Sequence, residues 1–184
     1  RKNYRKNRDR SGYLTASIIG YTNAGKSQLL NTLTNSNIES KNRLFSTLDP
    51  TTRKLSNKYK LNNNLLLSDT VGFIDKLPTT LVAAFRATLE EIEDSNLIIH
   101  VLDISDKELS KKFETSNKIL ENLGYDNKPT LIVLNKIDKL KDYKKNINEL
   151  DTNQNSNIVA ISALKSINIE DLVIKLSYIT DQIG

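Results

Sequence analysis

The chain has 184 residues, of which 38% are hydrophobic and 27% are charged, a composition typical of one folded domain and not of a disordered segment. The absence of cysteine excludes disulfides and thiolate metal sites, which indicates a cytoplasmic protein, and no apolar run approaches the length that spans a membrane. Methionine is also absent, so we expect a piece of a longer chain, and the net charge is +5.

The positive charge is concentrated at the beginning of the chain. Residues 1–10 contain six lysines and arginines and one acidic residue, Asp9, whereas the rest of the chain has 21 basic and 21 acidic residues. Such a block suits RNA or another polyanion, and it is equally compatible with a solvated linker. We therefore predict a basic linker end at residues 1–12 and one domain at residues 13–184.

Predicted strands and helices alternate along this domain. Apolar runs predict strands at residues 14–19, 55–61, 65–68, 97–102, 130–134 and 158–161. Apolar residues at helical spacing predict helices at residues 27–33, 81–92, 105–123 and 172–183. The alternation predicts an α/β fold with a six-stranded, mostly parallel sheet and helices on both faces. The hairpin formed by the second and third strands supplies one antiparallel strand, and a ligand is expected at the carboxyl ends of the strands.

Two local signals are expected to bound the helix after the fourth strand. Ser105 and Glu108 have the Ser-x-x-Glu spacing of a capping box, which predicts that Ser105 caps the first turn. Gly124 follows Leu123 at the point where a left-handed residue commonly ends a helix.

A glycine-rich motif of the form G-x-x-x-x-G-K-[ST] lies between the first strand and the first helix. The motif consists of Gly20, Tyr21, Thr22, Asn23, Ala24, Gly25, Lys26 and Ser27. Backbone N–H groups of such a loop attract phosphate oxygens, Lys26 would reach the β- and γ-phosphates, and the Ser27 hydroxyl would ligate Mg²⁺. The strand–loop–helix context argues against a chance match and predicts the fold of a P-loop NTPase.

A second phosphate motif, D-x-x-G, follows the third strand as Asp69, Thr70, Val71 and Gly72. The carboxylate of Asp69 can hold Mg²⁺ through water, and the N–H of Gly72 can meet the γ-phosphate. Alone this pattern is weak, because many turns at strand ends share it. Its value comes from its position after the glycine-rich loop.

A base-binding motif ends the fifth strand as Asn135, Lys136, Ile137 and Asp138. Guanine presents two adjacent donors to the Asp138 carboxylate, whereas adenine has an acceptor at N1. A site built on such hydrogen bonds discriminates by about 10⁴–10⁵, which favours GTP and GDP over the substrates of an ATPase or a small-molecule kinase. Lys136 can lay its alkyl stem along the base, and Asn135 can tie this loop to the glycine-rich loop. The backbone N–H groups that can reach the base O6 belong to Ser162, Ala163 and Leu164.

The polar segment at residues 45–53 lies between the two phosphate motifs and has no clear periodicity. A threonine here can give Mg²⁺ its second protein ligand when a γ-phosphate is present, and Thr47, Thr51 and Thr52 all qualify chemically. The segment is equally compatible with a mobile surface loop. Its nucleotide-binding part is expected to consist of Phe45, Ser46, Thr47, Leu48 and Asp49.

Together these motifs resemble the HflX family of ribosome-associated GTPases, in the Obg–HflX superfamily. The resemblance rests on the glycine-rich loop, the segment at residues 45–53, the sequence Asp-Thr-Val-Gly-Phe-Ile and residues 84–91, and it runs from about Tyr13 to the end of the chain. It implies that Thr47 is the switch threonine that binds Mg²⁺, and that Lys26, Thr47 and Gly72 serve hydrolysis.

The resemblance also implies what lies around the domain. Members of the family carry an N-terminal domain and a helical linker, so residues 1–10 would be the end of that linker. They bind the large ribosomal subunit, through its RNA and protein, and can split ribosomes. A monomer without an integral membrane segment is expected. An RNA-binding module with a vestigial nucleotide site and another ribosome-biogenesis GTPase are the alternatives.

Phe73 follows the D-x-x-G motif, where Ras-like GTPases place the glutamine that orients the attacking water. Its side chain can make no such hydrogen bond, so hydrolysis of GTP to GDP is expected to be slow and mainly electrostatic. The resemblance to related GTPases implies that Asn23 helps to bind K⁺ in place of an arginine finger. Closure of the loop by Asn23 is an equally weighted alternative.

Overall fold

The computed structural model describes residues 12–35, 51–59, 61, 64–70, 90–148, 150 and 157–183, and a six-stranded sheet lies at their centre. The strands are β1 (Tyr13–Ile19), β2 (Thr51–Lys54), β3 (Asn64–Asp69), β4 (Leu97–Asp103), β5 (Thr130–Asn135) and β6 (Ile158–Ala160). The named helices are α1 (Lys26–Thr34), α2 (Leu109–Asn122), α3 (Lys144–Asn148) and α4 (Ile169–Ile183), and a short 3-10 helix spans Ile137–Lys139. The basic block at residues 1–10 lies outside the described residues.

The sheet has the strand order β2-β3-β1-β4-β5-β6. β2 runs antiparallel to β3, and the other neighbouring pairs are parallel. This arrangement confirms the predicted six-stranded, mostly parallel sheet with one antiparallel strand. β3 lies on one side of β1 and β4 lies on the other. The direction in which successive strands are added to the sheet therefore reverses beside β1. Ligands of open α/β sheets bind at such a reversal, outside the carboxyl ends of the strands.

Helices cover both faces of the sheet. On one face, Ile99 of β4 belongs to the same buried cluster as Leu30 of α1 and Leu172 of α4. On the other face, Leu102 clusters with Phe113 of α2. A strand buried on both faces needs apolar residues at successive positions, which explains the unbroken apolar runs of β4 and β5. None of the described helices is long and apolar enough to cross a membrane.

The apolar stripe predicted for the last helix is confirmed. Leu172, Leu176 and Ile179 of α4 are buried in the core, and Ile183 packs against the same cluster.

The strand predicted at residues 55–61 is wrong. The antiparallel strand lies earlier, at β2, and residues 57–59 form a turn. The chain leaves the sheet because the N–H of Ser56 donates to the carbonyl oxygen of Leu33 in α1, 3.0 Å away. β2 is a short, polar edge strand, and such a strand lacks the alternation of apolar and polar residues from which a strand can be predicted.

The capping box predicted for Ser105 and Glu108 is also wrong. α2 begins at Leu109, and no side chain caps its N-terminus. The Ser105 hydroxyl donates instead to Oδ1 of Asp103, 2.6 Å away, so a carboxylate at the end of β4 takes the group that would have formed the cap. At the other end of α2 the prediction is confirmed, since Gly124 has a φ of 74°.

Residues 90–93 are helical and form the end of the helix predicted before β4. Two side chains, one from β1 and one from the connection before β5, hold the last carbonyl groups of this helix. The hydroxyl of Ser17 in β1 donates to the carbonyl oxygen of Glu91 at 2.8 Å, and the ammonium of Lys128 donates to that of Glu93 at 2.9 Å. These bonds satisfy carbonyls that a helix end leaves unpaired, and they fix the helix end to the sheet. The part of this prediction before residue 90 lies outside the described residues.

His100 is a fully buried histidine of β4. Its Nε2 lies 3.0 Å from Oγ of Ser116, and its ring stacks on Phe113 with the ring centroids 5.8 Å apart. Nδ1 has no hydrogen-bond partner in the part of the chain that the structure describes. Burial, with a smaller contribution from the positive charge of Lys26, lowers the pKa of His100 to about 4. The core is therefore built around a neutral imidazole.

We expect the free energy of unfolding to decrease as the pH falls from 6.5 toward 4. Across this range the unfolded chain binds a proton on His100, whose ordinary pKa is 6.5, whereas the folded chain does not until about pH 4. Between pH 7 and pH 5 the loss from this one group should be about 2 kcal/mol. His100→Phe keeps an aromatic ring and should remove this part of the pH dependence. Urea unfolding at several pH values measures both chains, and equal slopes would contradict the prediction.

Candidate nucleotide site

The glycine-rich loop connects the carboxyl end of β1 with α1, at the reversal point of the sheet. Gly20 and Gly25 have φ values of 143° and 97°, in the region that favours glycine. A β-carbon on Gly20 would collide with the carbonyl oxygen of Val101, and one on Gly25 would collide with Nδ2 of Asn135. The two fixed glycines of the motif are therefore required by the backbone conformation and by the close approach of β4 and β5.

α1 begins at Lys26 with Gly25 as its N-cap, and no side chain caps this end. The first turn contains no acidic residue that would compete with an anion for the backbone N–H groups. A helix start without a side-chain cap, behind a glycine loop, places backbone N–H groups at the positive end of the helix dipole. This end of α1 therefore fits the phosphate site that the sequence predicts.

Lys26 is only 6% exposed, and its ammonium group lies inside the loop. It donates to the carbonyl oxygens of Gly20 at 3.1 Å and Tyr21 at 2.9 Å. Burial lowers the pKa of Lys26 to about 8, and the nearby carboxylate of Asp69 acts in the opposite direction. A buried ammonium gains strongly when an anion arrives, because the anion compensates the cost of its burial.

Ser27 and Asp69 form the pair expected to hold Mg²⁺. The Ser27 hydroxyl donates to Oδ2 of Asp69 at 2.6 Å, and Asp69 is 1% exposed at the end of β3. Hydroxyl and carboxylate oxygens are the ligands that Mg²⁺ prefers, so this pair fits the ion. The described residues contain no group of three acidic or histidine side chains that could hold a metal. Mg²⁺ in nucleotide sites is usually held by one or two protein side chains together with water and phosphate oxygens, so the pair of Ser27 and Asp69 is consistent with such a site.

Thr70 is buried, and its hydroxyl donates to the carbonyl oxygen of Ile18 in β1 at 2.7 Å. This bond fixes the start of the D-x-x-G motif to the strand that leads into the glycine-rich loop. Among the threonines considered for Mg²⁺, Thr52 lies in β2, where its hydroxyl bonds with that of Ser68 at 2.8 Å. Thr51 lies in the same strand. The other predicted phosphate-site residues lie outside the described residues, as does Phe73: Phe45, Ser46, Thr47, Leu48, Asp49, Val71 and Gly72.

Asn135 joins three loops of the site. Its Nδ2 donates to the carbonyl oxygen of Ala24 in the glycine-rich loop at 2.9 Å, and its Oδ1 accepts the N–H of Ala163 at 3.0 Å. The side chain is 3% exposed, so both halves of the amide are satisfied in the interior. The tie between the base-binding loop and the glycine-rich loop that the sequence predicts is therefore present, and it extends to the loop after β6.

Lys136 has a left-handed backbone, with a φ of 72°, and its side chain returns toward the glycine-rich loop. Its ammonium donates to the carbonyl oxygen of Asn23 and to Oδ2 of Asp103, the latter at 2.7 Å. Oδ1 of Asp103 accepts the N–H and the hydroxyl of Ser105 at 3.0 and 2.6 Å. Sequence reasoning missed Asp103 and Ser105, although the position of Asp103 at the carboxyl end of a parallel strand was a usable signal.

The residues expected to read the base differ in their exposure. Asp138 is exposed in the 3-10 helix that follows β5. Ser162 and Ala163 are buried after β6, whereas the side chain of Leu164 is 67% exposed. The hydroxyl of Thr32 in α1 donates to the carbonyl oxygen of Ala163 at 3.0 Å, which ties the helix behind the phosphate loop to the loop expected to read the base.

The geometry agrees with comparisons to known proteins. A family model described as "50S ribosome-binding GTPase" matches residues 15–136. The chain belongs to this family. It is similar to GTPase HflX of Escherichia coli K12, with 40% identity over 172 residues, which cover 94% of this chain and 40% of that protein. It is 47% identical to GTPase HflX of Akkermansia muciniphila over 138 residues, which cover 75% of this chain and 31% of the relative. The domain is of the HflX type.

The chain is also similar in structure to a solved GTP-binding protein. A GTP-binding protein of Sulfolobus solfataricus, crystallised with GDP, superposes with a TM-score of 0.75 at 30% identity. The match covers 100% of this chain and 57% of that protein. The chain thus spans well under half the length of the two HflX relatives and little more than half of the archaeal protein.

Proposed function

We propose that this HflX-type domain binds GTP and GDP with Mg²⁺, hydrolyses GTP slowly, and acts as a nucleotide-dependent switch on the large ribosomal subunit. We further propose that it works as a cytoplasmic monomer. The observation that carries the proposal is the buried side chain of Asn135, which bonds to both the glycine-rich loop and the loop after β6. A phosphate loop and a base-reading loop that are locked together in this way form one site for one nucleotide.

Recognition of guanine would rest on Asp138, whose exposed carboxylate accepts the ring N1–H and the exocyclic amine. Lys136 would lie along the base with its alkyl stem, while its ammonium bonds to Asn23 and Asp103. The backbone N–H groups at Ser162, Ala163 and Leu164 would face the base O6. A site of this kind rejects adenine because the Asp138 carboxylate would meet an acceptor at N1.

Recognition of phosphate would rest on the loop amides and on Lys26. The ammonium of Lys26, now bonded to two loop carbonyls, would exchange those partners for the β- and γ-phosphates. Ser27, Asp69 and Thr47 would hold Mg²⁺, which when bound neutralises charge that develops on the phosphates. Gly72 would donate its N–H to the γ-phosphate.

The proposed turnover is slow because no side chain of the motifs is suited to activate water. Phe73 can neither donate nor accept the hydrogen bond that a glutamine makes in its place. The remaining groups, Lys26 and the loop amides, stabilise charge but do not position the attacking water. Rapid hydrolysis would then depend on a group from outside the domain.

We propose that a monovalent cation supplies part of the positive charge that rapid hydrolysis needs. The side chain of Asn23 is exposed at the rim of the glycine-rich loop, and its backbone is left-handed with a φ of 63°. The bond from Lys136 to the carbonyl of Asn23 holds this residue in place. An amide oxygen fixed beside the phosphates can share a K⁺ ion with them, which would supply the positive charge of an arginine finger.

Replacement of Asp138 by asparagine should change the base preference. Asp138→Asn presents one acceptor and one donor, which match the N1–H and the C2 carbonyl of xanthine and leave the guanine amine without an acceptor. GDP affinity should fall by about a hundredfold or more while XDP affinity rises. Titration with fluorescent GDP and XDP measures both. Asp142→Asn, at an exposed aspartate four residues away, serves as the control, and unchanged GDP affinity in Asp138→Asn would refute the assignment.

Turnover of the isolated chain should be on the order of 10⁻⁴–10⁻² s⁻¹ in NaCl. In KCl at equal ionic strength we expect the rate to rise by about tenfold or more. Asn23→Gly tolerates the left-handed backbone and should lose that acceleration while it keeps the basal rate. Phosphate release under single-turnover conditions gives the rates. Equal rates in the two salts for the wild-type chain would remove the role of K⁺.

Binding to the large ribosomal subunit should depend on the nucleotide. The chain loaded with a non-hydrolysable GTP analogue should co-sediment with 50S subunits more strongly than the chain loaded with GDP. A variant in which the lysines and arginines of residues 1–10 are replaced by glutamine controls for simple attraction of the basic block to RNA. If pelleting is the same in both nucleotide states, the switch is refuted for this chain.

A further inference from the structure

We infer that Asp103, supported by Ser105, is a positioning residue for nucleotide binding: it holds Lys136 against the glycine-rich loop and so couples base recognition to phosphate recognition. This inference rests on the proposed function. The contacts form a continuous series from the Ser105 hydroxyl to the Asp103 carboxylate, the Lys136 ammonium and the Asn23 carbonyl.

Both oxygens of Asp103 are used. Oδ1 accepts two bonds from Ser105, and Oδ2 accepts the ammonium of Lys136. A carboxylate held in this way has one orientation, and the charge-assisted bond to Lys136 is directional as a result. The side chains of Asp103 and Lys136 are 18% and 22% exposed, so water screens this pair less than it screens a surface ion pair.

Asp103 also separates two positive charges. The ammonium of Lys139 lies 3.9 Å from the same Oδ2, and that side chain is 53% exposed. Without the carboxylate, the partly buried Lys136 would face a like charge and lose its principal counter-ion. Its ammonium would then gain by moving toward solvent, and its alkyl stem would no longer be held where the base is expected.

The bond at the far end of the series joins two strained residues. Asn23 and Lys136 both have left-handed backbones, with φ values of 63° and 72°. Such conformations persist in residues other than glycine when surrounding contacts over-determine them. The ammonium of Lys136 supplies one of these contacts, and Asp103 fixes that ammonium. Asp103 therefore acts on the phosphate loop through Lys136 without itself reaching the proposed nucleotide site.

A matched control lies in the same cleft between the glycine-rich loop and α2. Asp106 also lines this cleft, and it pairs with Lys112 at 2.6 Å, with side chains 29% and 25% exposed. The two aspartates thus share surroundings, charge and ion-pair length, but Asp106 forms its ion pair with Lys112 and acts on Lys136 only as a more distant charge. Substitution of each by asparagine separates loss of a cleft carboxylate from loss of the Lys136 anchor.

The test is a double-mutant cycle on GDP affinity in the full chain, with GDP dissociation rates as a second readout. Asp103→Asn should weaken GDP binding by about 5- to 30-fold, mainly through faster dissociation, whereas Asp106→Asn should change it by less than about twofold. In a Lys136→Gln background, Asp103→Asn should add less than about twofold, because the group on which it acts is gone. A purely structural role would weaken binding equally in both backgrounds and lower the unfolding temperature.

Several results would overturn the inference. One is wild-type affinity in Asp103→Asn, and another is an equal loss in both backgrounds. If Asp103→Asn does not fold, Ser105→Ala tests the same series by removing one bond to Asp103, and it should weaken GDP binding by about 2- to 5-fold. Wild-type affinity in Ser105→Ala would then count against the inference. A wild-type chain that binds no GDP would instead refute the proposed function, so the two failures are distinguishable.

Discussion

The arrangement of the site depends on the two hydrogen bonds of one buried amide, that of Asn135. Its donor half holds the glycine-rich loop and its acceptor half holds the loop after β6. A buried amide that lost one of these partners would leave a polar group unsatisfied, at a cost of about 1–3 kcal/mol. The lack of a side chain at Gly25 follows from the same constraint, because a β-carbon there would occupy the place of the amide nitrogen. The two loops that form the phosphate and base halves of the proposed nucleotide site therefore cannot move independently.

The sheet makes this convergence possible. Five parallel strands end at the same edge, and at or just after each end lies a residue of the proposed site or of its support: Gly20 after β1, Asp69 at the end of β3, Asp103 at the end of β4, Asn135 at the end of β5 and Ser162 after β6. Residues up to 142 positions apart in the sequence thus come together without long connecting loops. The edge strand β2 runs the other way and contributes to the sheet but to none of these ends.

The parts predicted correctly from sequence are those whose physics is local. The glycine-rich motif could be recognised by its spacing, because its eight residues alone determine the backbone conformation of the loop and the start of α1. β4 and β5 were predictable because burial on both faces demands unbroken apolar runs. β2 was misplaced because a polar edge strand has no such pattern. The capping box failed because its serine bonds to Asp103 on a neighbouring element, and the pair of Asp103 with Lys136, 33 residues apart, leaves no periodic trace in the sequence.

The hydrogen bonds that join β1 to Thr70 and to Glu91 affect the entropy of the chain between these two residues. Thr70 is tied to the carbonyl of Ile18, and the next residue back, Ser17, is tied to the carbonyl of Glu91. Thr70 and Glu91 are thus held at adjacent positions of one strand. The cost of closing a loop grows only with the logarithm of its length, about 0.6 kcal/mol for each doubling. With both anchors kept, a change of a few residues in the chain length between Thr70 and Glu91 should therefore alter the closure entropy by only a fraction of a kcal/mol.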